Sequence, residues 1–322
     1  MKKLKKKLEL NQYLQELDMI KATVGFNSSL ILSPYSDSTA LRHGDLLYRS
    51  ISMLTDFNER LAEMYMINSK MIKYDICDPL GVTFYRMHGA LIAQSMNHML
   101  YSSKDKLIKL PKPLSVKKPI DEAILRRRSK RNFVNVPISL QMLSTILYYS
   151  QGITGRLPII GISSKVFASL EIKLRATPSA GALYPIDLYV IALNVKDLKP
   201  GIYIYEPNEH ALICMKGGIK KEEVLKCFVP STITPLHIEN VSVIIILVSN
   251  IWKTLRKYGN RGLKFIFIEA GQISENIHLI AQSLGCASVD VAAFYDREIE
   301  KLLNIDGISY FVILTILVGV ST

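Results

Sequence analysis

Four positive charges around one hydroxyl group form the first feature of the sequence that could do chemistry. The segment reads Arg127-Arg128-Ser129-Lys130-Arg131. Arginine offers planar, bidentate donors that match the oxygens of a phosphate, and a serine hydroxyl adds a short donor. The segment is therefore a candidate phosphate-binding site. A solvated basic turn is the alternative, because charge runs commonly lie on the surface, and this segment alone does not decide between the two.

A run of small residues forms the second feature. The stretch Ala176–Pro185 reads ATPSAGALYP, and Pro178, Gly181 and Pro185 punctuate it directly before a strand-like segment. Small side chains let the backbone approach a flat ligand closely, and glycine adds backbone freedom. The stretch is a candidate ring-binding loop. Taken alone, such a run of proline, serine and glycine is an ordinary loop.

Regular helices and strands must position these two features. Ser139 is a candidate N-cap, because the apolar residues that follow it recur at helical spacing. The longest predicted helix is Leu263–Leu284, in which a stripe of apolar residues from Phe267 to Leu284 predicts a central, mostly buried helix. Short β-branched runs between turn residues predict strands. The predicted segments are helices at 120–131, 139–150, 263–284 and 296–303, a turn at 152–155, and strands at 186–193, 242–249 and 310–318.

The chain divides near residue 118. Its 322 residues are 49% apolar and 21% charged, which lies within the ordinary globular range. Residues 1–118 have helical patterns and end in a linker, Leu110–Pro119, whose prolines fix φ and remove backbone donors. Residues 119–322 carry both candidate features and the predicted strands. We therefore expect an accessory region at 1–118 and one catalytic domain at 119–322.

Several classes of site and location find no support in the sequence. The six histidines have no HxxxH spacing, and the four cysteines (Cys77, Cys214, Cys227 and Cys286) have no CxxC spacing, so no metal site is expected. We interpret the cysteines as buried thiols in a reducing cytoplasm. The net charge of +12 accompanies no nucleic-acid-binding motif. No apolar run reaches the roughly 20 residues of a membrane-spanning helix, and the basic N-terminus lacks the apolar stretch of a signal peptide. We expect a cytoplasmic protein that neither spans a membrane nor binds nucleic acid.

Five motifs in a fixed order give the sequence a specific resemblance. They are Arg127-x-Ser129-x-Arg131, Gly152-Ile-Thr-Gly155, PSAGALYP at 178–185, Gly201-Ile-Tyr-Ile-Tyr205 and Glu269-Ala-Gly271. Together they resemble the nitroreductase-like flavoproteins, and more narrowly the dehydrogenases that oxidise thiazolines and oxazolines in microcin- and streptolysin-type peptides. The resemblance covers about residues 120–320, and PSAGALYP discriminates best. It implies an α+β, nitroreductase-like FMN-binding fold: a mixed sheet flanked by helices, with a helical N-terminal accessory region.

The resemblance also implies which residues contact FMN. In that family the Arg-x-Ser-x-Arg element holds the ribityl phosphate, and the Pro-Ser-Ala-Gly loop lies against the isoalloxazine ring. The segment directly after the long helix would lie near the flavin N5 edge and offer a backbone donor. By position, the implied FMN-binding residues are Arg127, Arg128, Ser129, Arg131, Pro178, Ser179, Ala180, Gly181, Cys286, Ala287 and Ser288.

Lys257 and Tyr258 match a Lys-Tyr motif that the resemblance implies is catalytic. Oxidising an azoline moves a hydride to flavin N5 while a base removes a proton from the neighbouring atom. A desolvated lysine beside Arg256 and Arg261 could have its pKa lowered towards neutrality, as a base requires. Tyr258 could position the lysine or relay the proton. The alternative is that Lys257 is a surface lysine in a basic turn.

The family pattern is not matched at every position. Residue 272 is Gln where histidine is common, and the chain ends at Thr322 without a basic residue for the phosphate site. The resemblance implies an FMN-dependent azoline dehydrogenase, a homodimer with FMN at the subunit interface, a precursor peptide substrate and a cyclodehydratase partner, with residues 1–115 as a candidate docking surface. Two alternatives stay open: an NAD(P)H-dependent nitro or quinone reductase of the same fold, and a flavin-free scaffold of a peptide-modification complex.

Overall fold

The computed structural model describes residues 65–70, 82–83, 85, 107–158 and 171–322. The chain divides into two compact units, Met1–Asn68 and Ser69–Thr322. Every element given below belongs to the second unit. Most of the predicted accessory region lies outside the described residues, as does Cys77, so a boundary at residue 118 stays a prediction.

The described helices and strands alternate along the second unit. The α-helices are α1 (Ile120–Arg126), α2 (Leu140–Gln151), α3 (Lys221–Leu225), α4 (Pro230–Leu236), α5 (Ile251–Tyr258), α6 (Gly262–Ser283) and α7 (Asp296–Leu303). The strands are β1 (Leu107–Lys109), β2 (Phe133–Val134), β3 (Ile138–Ser139), β4 (Ile153–Pro158), β5 (Glu171–Arg175), β6 (Ile186–Ala192), β7 (Val195–Lys196), β8 (Gly201–Glu206), β9 (Ala211–Gly217), β10 (Val243–Asn250), β11 (Ala287–Val291) and β12 (Tyr310–Ser321).

One large antiparallel sheet organises the unit. Its strand order is β1-β9-β8-β6-β10-β12-β11, and β2 pairs with the end of β12. Each of these pairings is antiparallel. The β10 strand is central, because β6 flanks it on one side and β12 on the other. Two small sheets, β3 with β7 and β4 with β5, complete the described strands.

Helices cover both faces of the large sheet. Val243, Ile245 and Leu247 of β10 face a core shared with α2 and α6. The intervening residues, Ile244 and Ile246, face a second core shared with α3, α4 and α7. Because alternate side chains of a strand point to opposite faces, a strand covered on both faces is apolar at every position. This is why the sequence of β10 is one continuous apolar run.

Helix α6 is the element that connects the candidate site. It is 22 residues long, or about 33 Å at 1.5 Å per residue, and it packs against α2, α5 and β11. The neighbouring helix α2 begins as predicted, because the Ser139 Oγ accepts a hydrogen bond from the Met142 N–H at 3.1 Å. Such a cap contributes about 1 kcal/mol. Helix α6 ends before Gly285, whose φ of 77° suits a glycine.

The α+β prediction is confirmed, with differences of detail. The large sheet is antiparallel rather than mixed, and the parallel contacts in the described residues are β3 with β7 and an isolated bridge between Ser129 and Ser288. The connection between β8 and β9 spans only residues 207–210, which is too short for the crossover that a parallel pair needs. The predicted helix at 120–131 ends at Arg126, because Arg127 takes an extended conformation.

Three smaller predictions were wrong. Residues 153–155 lie in β4 rather than in a turn, because they pair with β5. Phe267 was counted in the buried stripe of α6, but 47% of it is exposed because it lies on the helix face turned away from the sheet. Cys214 is exposed, whereas Cys227 and Cys286 are buried as predicted. In the part of the chain that the structure describes, no helix is both long and apolar enough to cross a membrane.

Candidate active site

The basic segment, residues 127–131, follows the C-terminus of α1. Its side chains are largely exposed, and only Arg127 is half-buried. The segment is fixed to the sheet, because Ser129 forms a parallel bridge with Ser288 and the Lys130 N–H donates to the Ser288 carbonyl at 3.2 Å. Arg131 donates to the Ser129 carbonyl at 3.3 Å. Arg128 donates to the Leu125 and Arg127 carbonyls at 3.0 and 2.6 Å. The backbone is therefore held, and the basic side chains are accessible to solvent.

The small-residue loop, residues 178–181, lies between β5 and β6. The Ser179 Oγ accepts the Tyr184 N–H at 2.9 Å, and the Ala182 N–H donates to the Ser179 carbonyl at 3.0 Å. Gly181 has a φ of 64°, in the left-handed region. A Cβ on Gly181 would overlap the Lys257 Nζ and the Tyr258 hydroxyl. The loop therefore lies against the Lys–Tyr pair, and glycine is what allows the close approach.

The Lys–Tyr pair, Lys257 and Tyr258, ends helix α5. Lys257 is only 9% exposed, so it is not the surface lysine of the alternative interpretation. Its Nζ lies 5.1 Å from the ring centroid of Tyr85 and 5.2 Å from that of Tyr258. Aromatic faces at such distances stabilise an ammonium group. The Tyr258 ring in turn packs edge-on against Phe265 at the start of α6, with centroids 5.0 Å apart, so α6 fixes the position of the pair.

We expect Gly181→Ala to destabilise the protein. The new methyl group would meet Lys257 and Tyr258, and an L-residue in the left-handed region costs roughly 1–2 kcal/mol. At about 2–4 °C per kcal/mol for a domain of this size, the melting temperature should fall by about 2–8 °C. Gly217→Ala is the matched control, because a Cβ there meets no atom within 4 Å. Equal melting temperatures for the two variants would contradict the contact.

A buried charge cluster lies next to the small-residue loop. It comprises Arg175, Asp187, Lys253 and Glu269, which come from β5, β6, α5 and α6. Glu269 is 2% exposed, and burial raises the pKa of its carboxyl to about 7, although Ser179, Arg175 and Lys253 act to lower that pKa. Burial likewise lowers the pKa of Arg175 and of Lys253. A carboxyl group that titrates near neutrality beside a loop is suited to proton-linked work.

Hydrogen bonds attach the residues that lead from β5 into the small-residue loop to helices α2 and α6. The Thr177 hydroxyl donates to the Ser150 carbonyl of α2 at 2.7 Å, and Asn276 of α6 donates to the Thr177 hydroxyl at 2.9 Å. Arg175 donates to the Gln151 side chain at 3.1 Å. The loop is therefore anchored where it begins, and its position relative to α6 is fixed.

A second polar network supports the basic segment. His278 of α6 bonds the Ser288 hydroxyl through Nδ1 at 2.7 Å and Asp290 through Nε2 at 3.0 Å. Ser274 donates to the same Asp290 carboxylate at 2.8 Å. Ser288 is the residue that holds the backbone of the basic segment, so this network links that segment to α6. Its members come from α6 and β11, so the sequence alone does not show the network. The one sequence feature that points to it is a histidine within the apolar stripe of α6.

The predicted site residues fall into two groups along α6. The small-residue loop and the Lys–Tyr pair lie near Phe265 and Glu269, and the basic segment with Ser288 lies near His278. Glu269 and His278 are nine residues apart in the helix, which corresponds to about 14 Å along its axis. The Cys286 N–H donates to the Ala281 carbonyl at 2.8 Å, so it is already bonded within the chain, and Ala287 and Ser288 are paired with β12. Gln272 is exposed on the same helix.

The sequence and the fold of the chain are similar to those of known proteins. Residues 124–320 match the model of the nitroreductase family. A protein named as a nitroreductase in Methanocaldococcus jannaschii is 32% identical over 198 residues, covering 62% of this chain and 89% of that protein. The microcin B17-processing protein McbC of Escherichia coli is 29% identical over 147 residues, covering 41% of this chain and 49% of that protein. The crystal structure of a protein assigned as a nitroreductase from Anabaena variabilis matches with a TM-score of 0.59 at 23% identity, covering 80% of this chain and 46% of that one.

Proposed function

Since the chain belongs to the nitroreductase family of oxidoreductases, we propose that it is an FMN-dependent dehydrogenase that oxidises thiazoline or oxazoline rings to thiazoles or oxazoles in a ribosomally made peptide. The observation that carries the proposal is the position of the Lys–Tyr pair. Lys257 is buried, and a Cβ on Gly181 of the small-residue loop would overlap its amine. A base and a ring-binding loop in direct contact are what this reaction requires.

The described residues fit FMN at both ends. Arg127, Arg128, Ser129 and Arg131 would hold the phosphate, because Ser129 and Lys130 fix the backbone of the segment to Ser288 and its side chains are accessible to solvent. At the other end, Pro178 to Gly181 would lie against the ring. The small side chains of this loop let its backbone approach a flat ring closely, and the buried Glu269 carboxyl beside it interacts with the Ser179 and Gln151 side chains.

The chemistry divides between the cofactor and the chain. Bound FMN would supply the acceptor for a hydride, and oxygen would reoxidise it. The Lys257 Nζ would take the proton from the atom next to the one that loses hydride, so the azoline loses two hydrogen atoms in total. The rings of Tyr85 and Tyr258 would stabilise the resulting ammonium group. The Tyr258 hydroxyl, which faces the same position at Gly181, would orient the amine or relay its proton.

The similarity to McbC supports a peptide substrate. That relative is named as a microcin-processing protein, and the match covers about half of its length. We propose that this chain acts on a precursor peptide in the cytoplasm, together with a cyclodehydratase that forms the rings. Residues 1–118 are the proposed docking region for peptide or partner. A test is to mix the purified chain with a peptide that already contains azoline rings, and to measure by mass spectrometry the loss of two hydrogen atoms per ring.

We also propose a homodimer with FMN at its interface. Four large apolar side chains support it, because Ile124 and Leu125 of α1 and Phe267 and Ile268 of α6 are 54%, 71%, 47% and 57% exposed. The two helices pack against each other, so these side chains belong to neighbouring elements. Exposed apolar groups of this kind mark protein interfaces.

Ile268→Asp should convert the dimer to a monomer, because a charge would be buried in the proposed interface. Light scattering gives the mass of the variant. If FMN lies at the interface, the monomeric variant should also lose flavin absorbance. Ile308→Asp is the control, since Ile308 is 73% exposed but lies between α7 and β12. A monomeric parent protein, or a dimer that survives Ile268→Asp, would contradict the proposal.

A nitro or quinone reductase is the second candidate function. The named nitroreductase of M. jannaschii favours it, because the match covers 89% of that protein. Rapid NADPH oxidation with nitrofurazone, without ring oxidation on any azoline peptide, would support this function. Protein that is colourless and stays colourless after incubation with FMN would instead favour a flavin-free scaffold.

A further inference from the structure

Two contacts connect the chain before residue 118 to the segment that carries the Lys–Tyr pair. The Tyr85 ring lies over Lys257, whose Nζ is 5.1 Å from the ring centroid. Arg261, which follows the pair in the turn between α5 and α6, donates to the Ser69 carbonyl at 3.3 Å. Tyr85 and Ser69 are 4% and 1% exposed, so both are packed inside the protein. The compact unit that holds the site begins at Ser69.

Three described groups contact the Lys257 amine. A Cβ on Gly181 would overlap the Nζ, and the Tyr258 ring centroid lies 5.2 Å from it. The Tyr85 ring is the third group. An ammonium group is strongly hydrated, and a lysine side chain ordinarily extends its amine into water. Because Lys257 is only 9% exposed, these contacts replace much of that water.

The region that carries Tyr85 is fixed a second time where it ends, at β1 and in the residues after it. Strand β1 pairs with β9. The Pro111 carbonyl accepts the Ser144 hydroxyl of α2 at 2.5 Å. The Leu114 N–H donates to the Thr145 hydroxyl, also of α2, at 3.0 Å. The first part of the predicted linker is therefore packed against α2, and α2 packs against α6.

We infer that Tyr85 is a positioning residue, whose ring holds the Lys257 amine against Gly181. The contacts of Ser69 and of residues 107–114 hold the part of the chain that carries this ring. The chain before residue 118 thus forms part of the site. The effect on ring oxidation rests on the proposed function, whereas the contact with the amine does not.

An aromatic ring suits this position better than an aliphatic side chain. The face of the ring attracts the ammonium form electrostatically, so it fixes the amine when the amine has taken up a proton. The same flat surface excludes water from one side of the neutral amine. A phenylalanine would retain both effects, whereas a leucine would cover the amine without attracting it. These two substitutions therefore separate the aromatic face from the apolar volume.

Chemical labelling of lysines in the full chain tests the contact without cofactor or substrate. Acetylation with a succinimidyl ester at constant pH, measured for each lysine by mass spectrometry of peptides, reports how often an amine is neutral and accessible. Loss of a cation–π contact corresponds to a factor of about 2 to 30, and Lys257 in Tyr85→Leu should react faster than in the parent by this factor. In Tyr85→Phe it should react at the parent rate.

Lys253 and Lys301 are the internal references for this labelling. Lys253, one turn before Lys257 in α5, donates to the Tyr184 carbonyl at 3.4 Å and should keep its parent rate in both variants. The Lys301 side chain is 72% exposed and should react rapidly in every protein. If Lys253 accelerated together with Lys257, Tyr85→Leu would have loosened the whole helix, and the inference would be overturned. A parent rate for Lys257 in Tyr85→Leu would overturn it as well.

Arg261→Ala tests the inference through the other contact. It removes the hydrogen bond to Ser69 and leaves the Tyr85 ring in the chain, so Lys257 should again react faster than in the parent, though by less than in Tyr85→Leu. This variant decides the question even if Tyr85→Leu fails to fold, because an unchanged Lys257 rate would then contradict the inference.

Ring oxidation is the second readout. Tyr85→Leu should lower kcat by about 10- to 100-fold with little change in KM, since it displaces the amine rather than the peptide. Tyr85→Phe should restore the parent rate. Equal losses in both variants would assign the effect to the hydroxyl and overturn the role of the ring. Labelling that behaves as expected while the parent oxidises no azoline peptide would reject the proposed function and keep the contact between Tyr85 and Lys257.

Discussion

Lys257→Ala should give a protein that retains its flavin but oxidises azoline rings about 100- to 10,000-fold more slowly, the usual contribution of a positioned general base. The physical reason is the position of the amine. Lys257 is 9% exposed and lies between the Tyr85 and Tyr258 rings, against Gly181. Its removal takes away the amine that contacts Gly181, whereas the Lys253 amine one turn earlier in α5, which donates to the Tyr184 carbonyl at 3.4 Å, and the basic segment are untouched. Ring oxidation is followed by peptide mass, and flavin retention by absorbance.

Two further variants make the Lys257 result specific. Lys257→Arg keeps the positive charge, but a guanidinium does not release its proton near neutral pH, so the same loss of rate is expected. Lys301→Ala serves as the control, because the Lys301 side chain is 72% exposed on α7. Full activity in Lys257→Arg would show that charge, rather than proton transfer, is what the reaction needs from this position. Full activity in Lys257→Ala would remove the proposed base altogether.

Arg131→Ala should weaken FMN binding by about tenfold or more, and Arg127→Ala combined with it by about 100-fold or more. A hydrogen bond to a charged group contributes about 1.5–3 kcal/mol, and a factor of ten in the dissociation constant corresponds to about 1.4 kcal/mol. Fluorescence titration of apoprotein with FMN gives the constants. Binding should also weaken with added salt, since the arginine side chains are solvent-accessible.

Arg126→Ala is the control for the phosphate-binding residues. Arg126 is the last residue of α1 and directly precedes the basic segment, and it pairs with Glu122, one turn earlier in the helix, at 3.1 Å. Arg126→Ala removes one positive charge from the same region, as Arg131→Ala does, but Arg126 does not belong to the Arg-x-Ser-x-Arg pattern. If all three arginine variants bound FMN alike, general positive charge rather than the motif would explain retention.

The regular elements could be predicted because their signals are local. The apolar run of β10 and the helical stripe of α6 follow from side-chain periodicity, and the structure begins α6 at Gly262 instead of Leu263. The cap at Ser139 follows from one hydroxyl before a helical pattern. The exposure of Phe267 was not predictable in this way, because periodicity gives the apolar face but not what covers it.

The buried charge cluster could not be predicted because its members are far apart in sequence. Arg175, Lys253 and Glu269 meet only after β5, α5 and α6 have packed together. The available signal was Glu269 itself, a charged residue three positions after Ile266 and four before Ile273 in an apolar stripe. A charged residue on a buried face requires partners, but the sequence does not show which ones.

The burial of Lys257 also depends on tertiary contacts that the sequence does not show. Its sequence neighbours, Arg256 and Tyr258, are those of a basic turn, and from the residues alone a surface lysine was an open interpretation. The structure buries it through Tyr85, which is distant in sequence, and through the close approach of Gly181. A glycine and an aromatic ring therefore define the site as much as the lysine does.

Anaerobic mixing of the FMN-loaded chain with a peptide that contains thiazoline rings is the most direct measurement of the proposed reaction. We expect the oxidised flavin absorbance to disappear while the peptide loses two hydrogen atoms for each flavin reduced, and the colour to return when oxygen is admitted. A spectrum that the peptide leaves unchanged but that NADPH bleaches at once would contradict the dehydrogenase and identify a reductase of the same fold.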